Sequence, residues 1–255
     1  MLGCEIDRFD MERTVSRCRE AIGGGEKIRQ ASINAAKVVA MRDDPALRRA
    51  IEGCELVNAD GQSVVWASRL LGDPLPERVA GIDLMHRLLD LAEREAHGVY
   101  VLGARQDVLE RAIGRLRERH PRLRIAGYRD GYFPEEQSGD VTAEIAASGA
   151  AILFVAISSP RKELWLAEHG EHLGVPVAMG VGGAIDVVAG VARRAPRLWQ
   201  RLGLEWLYRL AQEPRRLFGR YTRTNLRFLA LLLGALPGRF VEGRGRATGN
   251  RSWSE

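Results

Sequence analysis

Short apolar runs that alternate with amphipathic helical patterns predict an α/β fold: a Rossmann-like, mostly parallel sheet flanked by helices, with an all-helical appendage at the C-terminus. Three observations carry this expectation. The apolar runs are nearly continuous, as in strands buried on both faces. Helical patterns long enough for crossovers separate the runs. Beyond residue 196 the strand pattern stops and only helical periodicity continues.

In chain order, strands are expected at Leu56-Val-Asn58, Gly98–Gly103, Leu123–Gly127, Ala151–Ile157 and Val175–Val181. Helices are expected near 44–53, 62–71, 82–96, 106–120, 136–148 and 161–173. In 106–120, for example, Val108, Leu109, Ala112, Ile113 and Leu116 fall on one helical face. Leu198, Leu202, Trp206, Leu210 and Leu217 form a later stripe. The expected organisation is a core over 1–195, a helical arginine-rich appendage over 196–237 and a disordered tail over 238–255.

Charge is concentrated at one place. Ten arginines lie between Ala192 and Arg227 against two acids, Glu205 and Glu213, whereas the whole chain carries only +5. An apolar stretch, Phe228 to Leu236, follows directly. Such a segment suits anionic lipid or phosphate, and is too short to span a bilayer. Lysine occurs only at 27, 37 and 162, against 35 arginines. Codon bias accounts for that preference but not for the clustering. The three cysteines, Cys4, Cys18 and Cys54, lack metal-type spacing and indicate no disulfide framework, as in a reducing cytoplasm. The charged N-terminus, with Glu5, Asp7, Arg8, Asp10 and Glu12, lacks the apolar core of a signal peptide, and none is expected.

In a doubly wound sheet, ligands bind at the carboxyl ends of the strands. Asn58-Ala-Asp-Gly61 places Asp60 at such an end, either as a general base or as the N-cap of the next helix. Gly103-Ala-Arg-Gln-Asp107 and Gly180-Val-Gly-Gly-Ala-Ile-Asp186 are glycine-containing turns after strands, suited to phosphate. Ser158-Ser-Pro-Arg-Lys-Glu163 gathers Arg161, Lys162 and Glu163 at the same end. No Gly-x-Gly-x-x-Gly, Gly-x-Ser-x-Gly, Asp-x-Asp or His/Cys cluster occurs, and no metal site is expected; His169 and His172 read as surface residues.

Taken in order, Ser32-Ile-Asn34, Asn58-Ala-Asp-Gly61, Pro76-Glu-Arg-Val-Ala-Gly-Ile-Asp83, Asp130-Gly-Tyr-Phe133, Ser159-Pro-Arg-Lys-Glu163, Gly180–Asp186 and Arg194–Arg209 resemble the WecG/TagA/CpsF glycosyltransferases, glycosyltransferase family 26. The resemblance implies metal-independent, inverting transfer of a sugar from a UDP-sugar, with no cofactor. The implied acceptor is a polyprenyl-diphosphate-linked sugar at the cytoplasmic face of the plasma membrane, in cell-surface polysaccharide synthesis. It also implies that Asp60 is the general base. Ser32, Asn34, Arg78, Lys162, Glu163, Gly182, Gly183 and Asp186 are implied to line the donor pocket. By position, Arg209, Arg216 and Arg220 are implied to reach the donor phosphates, leaving Arg223, Arg227 and the apolar run to Leu236 for the bilayer. The family often has Gln where this chain has Lys162, which adds a charge to the pocket.

Partners implied are thus the donor, the lipid-linked acceptor, an anionic membrane surface and further copies of the chain, with no nucleic acid. A non-catalytic nucleotide- or polyanion-binding module is the alternative, opposed by the presence of Asp60. An NAD-dependent oxidoreductase is opposed by the missing dinucleotide fingerprint.

Overall fold

A computed structural model describes residues 2–236 except Leu202 and Glu213, and gives only the backbone of Arg201, Arg209, Arg216, Leu217 and Arg220. The tail expected over 238–255 lies outside the described residues.

The elements follow in order: α1 (Met11–Gly24), β1 (Ile28–Ile33), α2 (Ala35–Asp43), α3 (Pro45–Glu52), β2 (Leu56–Ala59), α4 (Gln62–Leu70), α5 (Gly81–Arg94), β3 (Gly98–Gly103), α6 (Gln106–Arg119), β4 (Arg124–Arg129), α7 (Ser138–Ala147), β5 (Ile152–Ala156), α8 (Arg161–His169), β6 (Val177–Gly180), α9 (Ala184–Val188), α10 (Arg197–Arg201), α11 (Glu205–Gln212) and α12 (Pro214–Ala235). The six strands form one sheet in the order β2-β1-β6-β5-β3-β4, every neighbouring pair parallel. The α/β, Rossmann-like expectation is met, with the sheet wholly rather than mostly parallel.

All five expected strands form. β1 was not expected, because Gln30 interrupts its apolar pattern. That glutamine is buried and donates from Nε2 to Asn58 Oδ1 on β2 at 3.0 Å, while Asn58 Nδ2 donates to Thr14 Oγ1 at 3.0 Å. The Gln30 amide nitrogen is thereby paired within a central strand, while its Oε1 is buried without a partner among the described residues. Helix α1 is likewise new. Asp10 caps it, accepting from the Arg13 N–H at 2.7 Å, and Gly25 ends it in the left-handed region at φ 71°.

The C-terminal region departs from expectation in two ways. The stripe from Leu198 to Leu217 does not run along one helix. Gly203, at φ 69°, and Pro214 break the segment into α10, α11 and α12, leaving Leu198 and Trp206 exposed. Nor does the run to Leu236 turn wholly outward. Phe228 and Leu232, one turn apart, are buried in a cluster with Val38 and Val39 of α2, and Arg227 donates to both carboxylate oxygens of Asp43 at 2.5 and 2.7 Å. Their neighbours on the opposite face, Leu226, Leu229 and Leu233, are exposed. Half of the run therefore serves packing. Among the described residues, no helix is long and apolar enough to cross a membrane.

Candidate functional site

The loops after β1, β2, β5 and β6 converge at the carboxyl edge of the sheet. Asp60 and Gly61 both donate their backbone N–H to the Ile33 carbonyl, at 2.8 and 3.3 Å, which joins the end of β2 to the end of β1. A Cβ on Gly61 would stand 3.2 Å from the Cα of Asn34, so the two turns are in contact. Asn34 caps α2, its Oδ1 accepting from the Lys37 N–H at 3.0 Å. Ser32 Oγ lies 3.4 Å from the position a Cβ on Gly81 would take.

Asp60 is not the N-cap of α4; that position is Gly61. Its carboxylate turns across to α5, where Oδ1 accepts from the Gly81 N–H at 3.1 Å. Burial pushes the Asp60 carboxyl above the usual carboxylate range. The Gly81 N–H, Arg78 and Lys37 oppose that shift, and Glu205 adds to it.

Lys162 and Glu163 open α8 and are both buried. Glu163 Oε1 lies 2.8 Å from Lys37 Nζ and 2.9 Å from Lys162 Nζ, with side-chain exposures of 5, 10 and 11 % in that order. Two ammoniums thus share one carboxylate oxygen in a pair of buried ion pairs. Burial would raise the Glu163 carboxyl, but Lys37 and Lys162 together hold it below its usual range. Lys162 is pushed down by burial and by Lys37, against the pull of Glu163 and Asp60.

The loop after β6 completes this edge. Val181 and Gly182 donate to the Val155 carbonyl at 2.9 and 3.3 Å. A Cβ on Gly182 would sit 3.9 Å from Lys162 Nζ, and one on Gly183 would sit 3.4 Å from Asp186 Oδ2. Beside it, Arg161 donates to the carbonyls of Gly131 and Phe133 at 3.2 and 2.8 Å, bracing the Asp130–Phe133 turn.

Arg78 faces the C-terminal helices. Its Nη1 donates to Glu205 Oε2 at 2.8 Å. Arg194 donates to both oxygens of Asp83, each at 2.6 Å. A cleft of about 500 Å³ lies here, lined by Gln62, Glu77, Arg78, Arg197 and Gln200. The structure thus brings Ser32, Asn34 and Asp60 together at one edge, and Lys162, Glu163 and the 182–186 loop beside them. Arg209 lies in α11, and Arg216 and Arg220 in α12, but their side chains fall outside the described residues.

Two participants were not anticipated: Lys37, and Glu205 as the partner of Arg78. Lys37 carries a signal in hindsight, being one of three lysines in a chain with 35 arginines. A compact ammonium fits a buried ion pair beside a turn where a guanidinium fork does not. His169 is also not a simple surface residue: its ring packs on Trp165 with centroids 5.2 Å apart. With Glu135 and Glu168 it forms the metal-type grouping found among the described residues, which shares no member with the loops above.

The family model for the glycosyl transferase WecG/TagA/CpsF family matches residues 1–240, nearly the whole chain. The chain belongs to that family. This WecG/TagA/CpsF member is accordingly a glycosyltransferase of cell-surface polysaccharide synthesis, acting on a sugar donor and an acceptor.

Proposed function

We propose that this glycosyltransferase moves a sugar from a UDP-sugar to a polyprenyl-diphosphate-linked acceptor, inverting the anomeric centre without a metal, with Asp60 as general base. The observation that carries this reading is Asp60 itself: a carboxylate at the end of β2, desolvated and oriented by the Gly81 N–H. Because Oδ1 holds that hydrogen bond, the acceptor hydroxyl's proton passes to the other carboxylate oxygen. The acceptor oxygen bonds to the anomeric carbon as the bond to the UDP oxygen breaks on the opposite face. Positioned base assistance of this kind contributes ~10²–10⁴ in rate.

The departing diphosphate gains negative charge. Arg78, Arg194 and Lys162 are cations at or beside the strand ends where that charge develops. Arg209, Arg216 and Arg220 would add to them from the C-terminal helices. Ser32, Asn34, Glu163, Gly182, Gly183 and Asp186 shape the donor pocket.

The C-terminal helices also supply a membrane contact in this reading. On α12, exposed Phe218, Leu226, Leu229 and Leu233 share a face with Arg215, and Arg223 flanks it. Apolar side chains bordered by arginines suit the interface of an anionic bilayer, where a lipid-linked acceptor is held.

A screen of UDP-sugars against a short-chain polyprenyl-diphosphate-sugar acceptor, scored by UDP release with and without EDTA, tests the proposal. Turnover that Asp60→Asn abolishes and EDTA leaves intact is expected. Near-normal turnover by Asp60→Asn, or EDTA inhibition reversed by magnesium or manganese, would contradict it.

A further inference from the structure

Glu205 is one of two acids among the arginines of the C-terminal segment, and its contact with Arg78 joins residues 127 apart in sequence. Arg78 retains only 14 % of its side-chain exposure in that contact, and Glu205 retains 26 %. The other Glu205 oxygen lies 3.5 Å from Arg194 Nε, outside hydrogen-bond geometry. That Nε is buried without a hydrogen-bond partner, although Asp83 occupies both other nitrogens of the same guanidinium. A single carboxylate therefore sits between two guanidiniums, hydrogen-bonded to Arg78 and only ion-paired with Arg194 Nε. Unfilled buried donors of a charged group are costly and mark a place that a better acceptor would take.

The adjoining cleft, about 500 Å³ and lined by Arg78, Arg197, Gln62, Gln200 and one acid, Glu77, has the size of a small-ligand site. A diphosphate carries several charged oxygens on two centres, enough to engage Arg78 Nη1 and Arg194 Nε together. Glu205 opens α11, immediately after the Gly203 turn that rests on Gln62 and Trp66, so its displacement would move α11 relative to the cleft.

We propose that Glu205 is an internal stand-in for a diphosphate. The diphosphate of the nucleotide-sugar donor takes Arg78 and Arg194, displaces the Glu205 carboxylate and releases α11 from its latched position. The identity of the donor rests on the function proposed above. The exchange itself does not, because inorganic pyrophosphate is sufficient to drive it.

The test is calorimetric titration of the full chain with inorganic pyrophosphate and with UDP. Glu205→Gln keeps the shape and removes the charge, and should tighten both by about tenfold, within the usual range for coupled sites. Arg78→Gln should weaken both by at least tenfold. Asp43→Asn removes the same charge at the Arg227 contact and should change neither. Unchanged or weaker binding by Glu205→Gln overturns the proposal, as does an equal gain in Asp43→Asn, which would indicate a general field effect. Tryptophan emission gives an independent readout: it should change saturably as pyrophosphate is added to the wild-type chain, the part lost in Trp206→Phe being that of α11, and the absence of any such part also overturns the exchange. Pyrophosphate binding tightened by Glu205→Gln, in a chain that turns over no UDP-sugar, would uphold the exchange and remove the donor assignment.

Discussion

The side chain of Lys162 lies across the backbone of Gly180, where a Cβ would stand 2.7 Å from its Cε and 3.0 Å from its Cδ. Gly180 ends β6 in register with Val155 of β5, so the strand cannot yield easily. Its φ is not in the left-handed region, and alanine fits the backbone there. In Gly180→Ala the lysine must move, drawing its ammonium from Glu163. A fall in kcat/KM of about tenfold is expected, equal to about 1.4 kcal/mol at the transition state. Lys162→Met should fall by a similar factor, and the double variant should be no worse than either, since both remove one interaction. Additive losses would show that Gly180 acts by another route.

Asp60→Asn should separate stability from activity. Burial raises the folded-state pKa of Asp60 above its unfolded value. Between those two values the folded chain binds more protons than the unfolded chain, so stability falls as pH rises through that window. Wherever the carboxylate is ionised, its desolvation therefore opposes folding. Asparagine removes the charge and still accepts from the Gly81 N–H, so the variant should melt at or above the wild-type temperature at pH 7 while losing transfer. In the wild type, the acid limb of the kcat profile should lie above the usual carboxylate range. Calorimetry at pH 7 together with the pH–rate profile checks both; a destabilised Asp60→Asn would refute the desolvation argument.

Glu163 has the opposite sign. Lys37 and Lys162 hold its carboxyl below the usual range, so its contribution is present above about pH 4.3 and lost as pH falls through the lower folded value. Glu163→Gln leaves two ammoniums together at about 10 % exposure, and should cost about 3 kcal/mol at pH 7. Lys37→Met leaves Glu163 its second lysine and should cost less. Urea unfolding at pH 7 and pH 4 measures the difference, and Glu163→Gln should flatten that pH dependence.

The sheet was legible where strands are apolar throughout, as in β5, whose residues from Ile152 to Val155 are all buried. β1 was not, because it carries a buried Gln30 whose amide nitrogen is paired by Asn58 on a different strand, a pairing no local pattern reveals. The same holds for the site. Asp60 and the glycine turns could be found because a strand end locates them. Lys37 meeting Glu163, and Glu205 meeting Arg78, depend on how distant segments return to one edge. The apolar run of α12 was visible as a run, but its division into a packed and an exposed face is set by the docking of Phe228 and Leu232 on α2.

That division makes the membrane contact testable without disturbing the fold. Leu226, Leu229 and Leu233 are 63, 49 and 56 % exposed, so replacing all three by Glu removes no core packing. The change places three negative charges on the face argued to meet an anionic surface, where each basic residue near the membrane is worth about 1 kcal/mol and acids act oppositely. The triple variant should keep the wild-type melting temperature and lose sedimentation with phosphatidylglycerol vesicles. Phe228→Ala acts on the other face and should free α12 from α2, seen as faster proteolysis within 203–236. If the triple variant still sediments with the vesicles as the wild type does, the exposed stripe is not the membrane contact.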